Sequence, residues 1–173
     1  MRTIYLLRHA KSDWADAELS DHERPLNARG REAAPKMAAY MRAHHYRPDL
    51  VLSSTATRTR ETLTLVADVL GDLKTTFDER LYLAEPRTLF DRLRGVTDDV
   101  KAVMFVGHNP GIAQFALQLS AAPTDESEEK LHRRMRDKFS TCALAVIRTA
   151  AKTWREVKPG AGTLKDFVRP KDL

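Results

Sequence analysis

The sequence of 173 residues lacks the features that define several classes of protein. Its single cysteine, Cys142, excludes an internal disulfide and a cysteine-based zinc cluster. No apolar run approaches the roughly 20 residues that a helix needs to span a bilayer. The first residues also lack the long apolar stretch and the small-residue cleavage site of a secretory signal. We therefore expect a cytoplasmic protein that does not insert into a membrane.

The charged residues are mixed along the chain and leave a moderate excess of positive charge. Lys and Arg total 29 against 24 Asp and Glu, which gives a formal net charge of +5 at pH 7. An acidic run at residues 125–130 is followed directly by a basic run at residues 131–138. Neither run contains the interleaved aromatic residues that stack on bases. We therefore expect no nucleic-acid partner, whereas phosphorylated ligands remain compatible with the excess of cations.

Short apolar runs alternate with helical patterns, and the length suits a single domain over residues 1–173. Three helical patterns have residues that are typical of helix ends. The first begins after Asn27, the second ends before Gly71, and the third extends from Pro86 to Gly95. The alternation predicts an α/β fold, a three-layer α/β/α sandwich around a mostly parallel central sheet. Strands are predicted at residues 3–7, 49–54, 101–107 and 142–148, with a weaker strand at 74–78 and an edge strand at 153–158.

Basic side chains follow three of the predicted strands, at the point where each strand ends. The segments are "RHAKSDW", "SSTATRTRET" and "GHNPG", which begin at residues 8, 53 and 107. In open α/β sheets, ligands bind beyond the carboxyl ends of the strands. We therefore expect one crevice to contain Arg8, His9, His108 and either Arg58 or Arg60.

The residue types in this crevice favour phosphate chemistry over metal chemistry. Histidine-based metal sites usually include Asp, Glu or Cys ligands, and no such cluster accompanies the two histidines. Arginine side chains match the geometry of phosphate oxygens and remain charged at all working pH values. A helix beginning after "HNPG" adds backbone N–H donors for an anion. These features predict phosphoryl transfer with a histidine nucleophile, and neither a metal ion nor another cofactor is expected.

Together the three segments resemble the motifs of the histidine phosphatase (phosphoglycerate mutase-like) superfamily. "RHAKS" in place of the commoner "RHGE", followed by "RPLNARG" at residues 24–30, resembles the SixA-type protein phosphohistidine phosphatases. The resemblance extends from the first strand to "FSTCALAVI", which covers most of the chain. It implies a phosphoglycerate mutase-like fold without a helical lid domain.

The resemblance also implies roles for individual residues. His9 corresponds to the nucleophile that becomes phosphorylated, and Arg8, Arg58 and His108 to the residues that bind the phosphate. Arg58 is preferred to Arg60 because it follows "SSTAT" at the spacing found in the family.

Two positions depart from the superfamily pattern. Where many members have an asparagine after the tryptophan of the first motif, this chain has Ala15. Where many members have a catalytic glutamate, "RLYLAE" places Leu83. Asp13 and Glu85 are therefore candidate acids. Arg24 is an accessory candidate for phosphate binding, although "RPLN" equally suits a loop that leads into the next helix.

The function implied by this resemblance is hydrolysis of phosphohistidine on proteins through a covalent phosphohistidine intermediate. A histidine-containing phosphotransfer protein would be a substrate of this kind. Two alternatives remain open from the sequence. The first is a phosphatase of the same superfamily that acts on small phosphomonoesters, and the second is a phosphate-binding adaptor without turnover.

Overall fold

The computed structural model describes all 173 residues and contains a single six-stranded sheet. In space the strands follow the order β3-β2-β4-β1-β5-β6. The three pairings among β3, β2, β4 and β1 are parallel, and β5 pairs antiparallel with both β1 and β6. Only β5 therefore runs against the others, as expected for a mostly parallel sheet. The strands are β1 (Arg2–Arg8), β2 (Leu50–Ser53), β3 (Thr75–Phe77), β4 (Ala102–Gly107), β5 (Leu144–Thr149) and β6 (Gly162–Val168).

Five helices cover the two faces of the sheet, which confirms the predicted three-layer sandwich. They are α1 (Ala28–Ala43), α2 (Thr57–Leu70), α3 (Pro86–Arg94), α4 (Gly111–Leu119) and α5 (Glu126–Asp137). Buried residues of α1 and α2 pack on one face, and those of α3, α4 and α5 pack on the other. Along β1, Ile4 and Leu6 face the second of these cores, while Tyr5 and Leu7 face the first. No helix is long and apolar enough to cross a lipid bilayer.

The helix ends follow the local sequence signals. The Asn27 side chain accepts a hydrogen bond from the Gly30 N–H at 2.9 Å and caps α1. Gly71 follows α2 with a φ of +82°, a backbone conformation that glycine adopts without steric cost. Pro86 is the first residue of α3, and Gly95 follows its last residue.

Two elements differ from the sequence prediction. The edge strand predicted at residues 153–158 is wrong, because Trp154–Glu156 forms a 3₁₀ turn and the edge strand is β6. Trp154 is fully buried and donates from Nε1 to the Val100 carbonyl at 2.9 Å. The apolar side chain at this position therefore reflects packing of the ring in the core and not membership of a strand. The second difference is α5, which was not predicted because charged residues dominate its sequence.

The sheet order places three chain segments at one edge. β4 lies between β2 and β1, and all three strands run in the same direction. In their registers, Arg8 pairs with Gly107 and Ser53 pairs with Val106. The residues that follow these three strands therefore enter the same crevice.

Gly30 positions the loop that follows β1. A Cβ at this position would overlap the Lys11 carbonyl oxygen and lie 2.9 Å from the Lys11 nitrogen. We expect Gly30→Ala to lower the free energy of unfolding by about 1–3 kcal/mol, because the loop backbone must move. Gly95→Ala is the matched control, since its nearest neighbours would lie at 3.6 Å. Chemical denaturation of both variants measures the difference, and equal stabilities would contradict close packing of α1 on this loop.

Candidate active site

Two buried histidines face each other where β1 and β4 end. The His9 backbone N–H donates to the Gly107 carbonyl at 3.0 Å, which continues the pairing of the two strands. The ring centroids of His9 and His108 are 5.2 Å apart. Only 6% of His9 and 3% of His108 is exposed to solvent. The ring nitrogens of both imidazoles must therefore form their hydrogen bonds with the protein or with a ligand.

The hydrogen bond at one ring nitrogen of His9 determines the state of the other. Nδ1 lies 2.7 Å from the Ala10 carbonyl oxygen, which can only accept a hydrogen bond. We therefore assign the proton to Nδ1 and the lone pair to Nε2. Burial lowers the pKa of His9 to about 4, and the charges of Arg58 and Arg8 contribute to this lowering. The ring is consequently neutral at pH 7, with Nε2 able to act as a nucleophile.

Ser54 orients the second ring. His108 Nε2 lies 2.7 Å from the Ser54 hydroxyl, which also accepts a hydrogen bond from the Ala56 N–H at 3.2 Å. The Ser54 hydroxyl hydrogen has no other acceptor, so it donates to Nε2 and leaves the proton of the neutral ring on Nδ1. Nδ1 is buried and has no hydrogen-bond partner in the protein. Burial, together with His9 and Arg58, lowers the pKa of His108 to about 3.

Two arginines supply positive charge beside these rings. Arg58, in the first turn of α2, is 4% exposed and donates to the Asp21 carboxylate at 2.9 Å and to the Asp21 carbonyl at 2.6 Å. Arg8 donates to the Phe139 carbonyl at 3.0 Å, and its buried Nε has no partner. Burial lowers the pKa of Arg8, and the Arg58 charge lowers it further. The two guanidiniums are therefore close enough to repel each other, and an anion between them would relieve that repulsion.

Asp21 and Tyr82 complete the Arg58 side of the crevice. The Tyr82 hydroxyl donates to the same Asp21 carboxylate oxygen as Arg58 does. The hydrogen bond from Tyr82, followed by that from Arg58, lowers the pKa of Asp21. The Tyr82 and His108 rings also pack in a T-shaped arrangement, with centroids 5.3 Å apart. Asp21 is thus held as a carboxylate at this site.

The accessory residues selected from the sequence make no hydrogen bond or ion pair with the two histidines or the two arginines. Asp13 accepts from the Ala15 N–H at 2.8 Å, and Glu85 is exposed at the start of α3. Arg24 donates to the Asp16 carbonyl at 3.0 Å and lies 4.2 Å above the Trp14 ring, so these two contacts lie within its own loop. Arg60 is exposed, in contrast to Arg58.

The structure brings Arg8, His9, Arg58 and His108 together, as the strand-end pattern predicted. Sequence reasoning did not select Ser54, Asp21 or Tyr82. Ser54 lies inside a motif that was noticed, but the motif does not reveal which way its hydroxyl points. Asp21 and Tyr82 come from irregular segments, where no hydrophobic period indicates position.

The tautomer of His108 provides a test of this geometry. Ser54→Ala removes the donor to Nε2, so we expect the neutral ring to become a mixture of Nδ1–H and Nε2–H forms. Nitrogen-15 chemical shifts of the imidazole distinguish the two forms. Ser53→Ala is the control, because its buried hydroxyl donates to the Ser54 carbonyl instead. A wild-type ring protonated on Nε2 would contradict the assignment.

Comparison with known proteins supports a relationship over nearly the whole chain. The model of the histidine phosphatase superfamily (branch 1) matches residues 4–145. An uncharacterised protein of Mycobacterium tuberculosis is 37% identical over 95% of this chain and 100% of its own length. A structure from Agrobacterium tumefaciens, provisionally named phosphohistidine phosphatase SixA, is 31% identical, with a TM-score of 0.81 and coverage of 98% of both chains.

A second structure, from Nakamurella multipartitia and with the same provisional name, is 27% identical. Its TM-score is 0.84, and the match covers 98% of this chain and 96% of that one. Each of these two structural matches covers 98% of this chain, and the fold has no additional lid domain. The chain belongs to the histidine phosphatase superfamily, branch 1, and its structural neighbours include SixA-type phosphohistidine phosphatases.

Proposed function

We propose that this protein hydrolyses phosphohistidine on proteins, with His9 as the nucleophile. The observation that carries the proposal is the hydrogen bond from His9 Nδ1 to the Ala10 carbonyl, which leaves the Nε2 lone pair free beside two arginines. Membership of the superfamily supports phosphatase activity. The likeness to the two SixA-type structures supports a phosphoprotein substrate, such as a histidine-containing phosphotransfer protein in the cytoplasm.

In the first step, His9 Nε2 attacks the phosphorus of the substrate. The substrate's imidazole is protonated at its other ring nitrogen. As the new N–P bond forms, the bond to the phosphorylated nitrogen breaks, the departing ring keeps that electron pair, and it leaves as neutral imidazole. Arg8, Arg58 and the Nδ1–H of His108 would donate hydrogen bonds to the three equatorial oxygens. In the second step, water attacks the phosphorus on His9 as the N–P bond breaks. Nε2 keeps that electron pair, which restores the neutral ring, and the protons of the water leave with the orthophosphate.

We propose that these residues act without a metal ion or another cofactor. The structure contains no group of three or more His, Cys, Asp and Glu side chains arranged to bind a metal. Arg8 and Arg58 would instead supply the positive charge that stabilises the transferring group.

The acid–base properties of the site favour phosphohistidine over phosphate esters. An ester releases an alkoxide whose conjugate acid has a pKa of about 16, so it needs a general acid. Asp21 is a poor proton donor, because Tyr82 and Arg58 lower its pKa. Leu83 occupies the position expected for glutamate and is 52% exposed. A phosphohistidine ring that is protonated at its other nitrogen needs no such help, because it leaves as neutral imidazole, whose conjugate acid has a pKa of about 6.5.

The first prediction concerns His9 as the nucleophile. His9→Ala should reduce turnover by more than about 10³-fold, because the covalent route is lost. Brief incubation of the wild type with a phosphohistidine substrate, followed by base quenching and peptide mass spectrometry, should locate a phosphoryl group on His9. His45→Ala is the control, because His45 is exposed and lies two residues beyond the end of α1. Wild-type binding of phosphate without turnover would instead indicate an adaptor.

The second prediction concerns the leaving group. We expect kcat/KM for a phosphohistidine peptide to exceed that for the matched phosphoserine peptide by about 10² or more, equivalent to about 2.7 kcal/mol of barrier. Steady-state kinetics on the two peptides measures the ratio. Comparable values would show that an unassigned general acid serves the ester, and would favour a phosphomonoester phosphatase.

The third prediction concerns metal ions. Activity should survive exhaustive treatment with a chelator, because arginine rather than a cation would neutralise the transferred group. Turnover is measured before and after chelation, with added Mg²⁺, Mn²⁺ and Zn²⁺ as separate controls. Loss of activity that a divalent ion restores would refute metal independence.

A further inference from the structure

A concave basic pocket of about 400 Å³ lies next to the candidate active site. We call it the basic pocket because six of its lining residues are cationic: Lys11, Arg29, Lys36, Lys138, Arg169 and Lys171. Glu32 is the one acidic residue of the lining, which also includes Ala33, Ser140 and Thr141.

Most of this positive charge is not neutralised within the protein. Lys36 pairs with Glu32 at 2.6 Å, and Arg169 pairs with Asp172 at 3.1 Å. The other four cations are exposed and have no carboxylate within 4 Å; these are Lys11, Arg29, Lys138 and Lys171. The pocket therefore attracts anions from solvent.

The basic pocket and the active site share two chain segments. Lys11 is two residues beyond His9, on the loop that follows β1. On the opposite wall, the Phe139 carbonyl accepts from Arg8, and its neighbours Lys138 and Ser140 line the pocket. The Cys142 N–H donates to the His9 carbonyl at 2.9 Å and holds the two segments together. Along both segments, the basic pocket therefore begins within a few residues of the active site.

We propose that the basic pocket binds acidic residues flanking the phosphohistidine of the substrate protein, an inference that rests on the proposed function. Lysines on flexible stems create a broad attractive field and do not form the rigid fork that selects a single phosphate. Several carboxylates spread along a chain match such a field. No aromatic side chain lines the pocket, which disfavours single-stranded nucleic acid as the occupant.

The experiment compares two charge-reversal variants that change net charge equally. The first combines Lys138→Glu with Lys171→Glu in the basic pocket. The second combines Lys74→Glu with Lys152→Glu at the opposite end of the strands, where Lys74 precedes β3 and the Lys152 carbonyl accepts from Arg2, the first residue of β1. Both are tested on three substrates: a phosphohistidine peptide flanked by glutamates, the same peptide flanked by glutamines, and p-nitrophenyl phosphate.

For the pocket variant, we expect kcat/KM on the glutamate-flanked peptide to fall about tenfold, equivalent to about 1.4 kcal/mol. Its values on the other two substrates should stay within about twofold of wild type, which also shows that the fold is intact. The control variant should keep wild-type activity on all three. Equal losses in the two variants, or equal losses on all three substrates, would overturn the proposal.

Direct binding separates this proposal from the proposed function. If the wild type hydrolyses neither phosphohistidine peptide, the proposed function fails, and fluorescence anisotropy with the labelled, unphosphorylated glutamate-rich peptide tests the pocket by itself. Weaker binding by the pocket variant than by the control variant supports the proposal, and equal binding overturns it. Tighter binding of a labelled oligonucleotide of equal charge would assign the pocket to nucleic acid and also overturn it.

Discussion

The parallel pairing of β1 and β2 with the central strand β4 is the constraint on which the site depends. The order β2-β4-β1 places three carboxyl ends side by side, and the registers align Arg8 with Gly107 and Ser53 with Val106. Backbone hydrogen bonds continue one residue past the strands, through the N–H groups of His9 and Ser54. The strands are buried on both faces, so the sheet cannot shift its register without exposing one of the two cores.

This arrangement concentrates positive charge in a crevice with limited access to water. Arg58 is nearly fully buried, Arg8 is partly buried, and Asp21 is the carboxylate that contacts Arg58. The two imidazoles remain neutral because burial and the arginines lower their pKa values. A site of this kind suits a multiply charged anion such as a phosphoryl group, since each of its oxygens can accept a hydrogen bond from a buried donor.

The sequence contained enough information to predict most of the fold and four residues of the site. The helices could be predicted because hydrophobic patterns and end residues such as Asn27 and Gly71 determine them locally. The four site residues could be predicted because ligands in α/β sheets bind at strand ends. The position of Asp21 could not be predicted, because a 3₁₀ turn brings it to Arg58 across 37 positions of the chain. Asp13 and Glu85 were selected as acids by sequence proximity to the motifs, which does not report the direction of a side chain. The ring nitrogen that Ser54 contacts likewise depends on three-dimensional geometry alone.

The central claim is that His9 Nε2 is the atom that attacks phosphorus. A crystal structure with orthovanadate tests this claim most directly, because vanadate reproduces the five-coordinate geometry of an in-line displacement. The account predicts vanadium bonded to His9 Nε2, with its equatorial oxygens hydrogen-bonded to Arg8, Arg58 and His108 Nδ1. Vanadate bonded to His108, or bound elsewhere with His9 Nε2 unoccupied, would contradict the account.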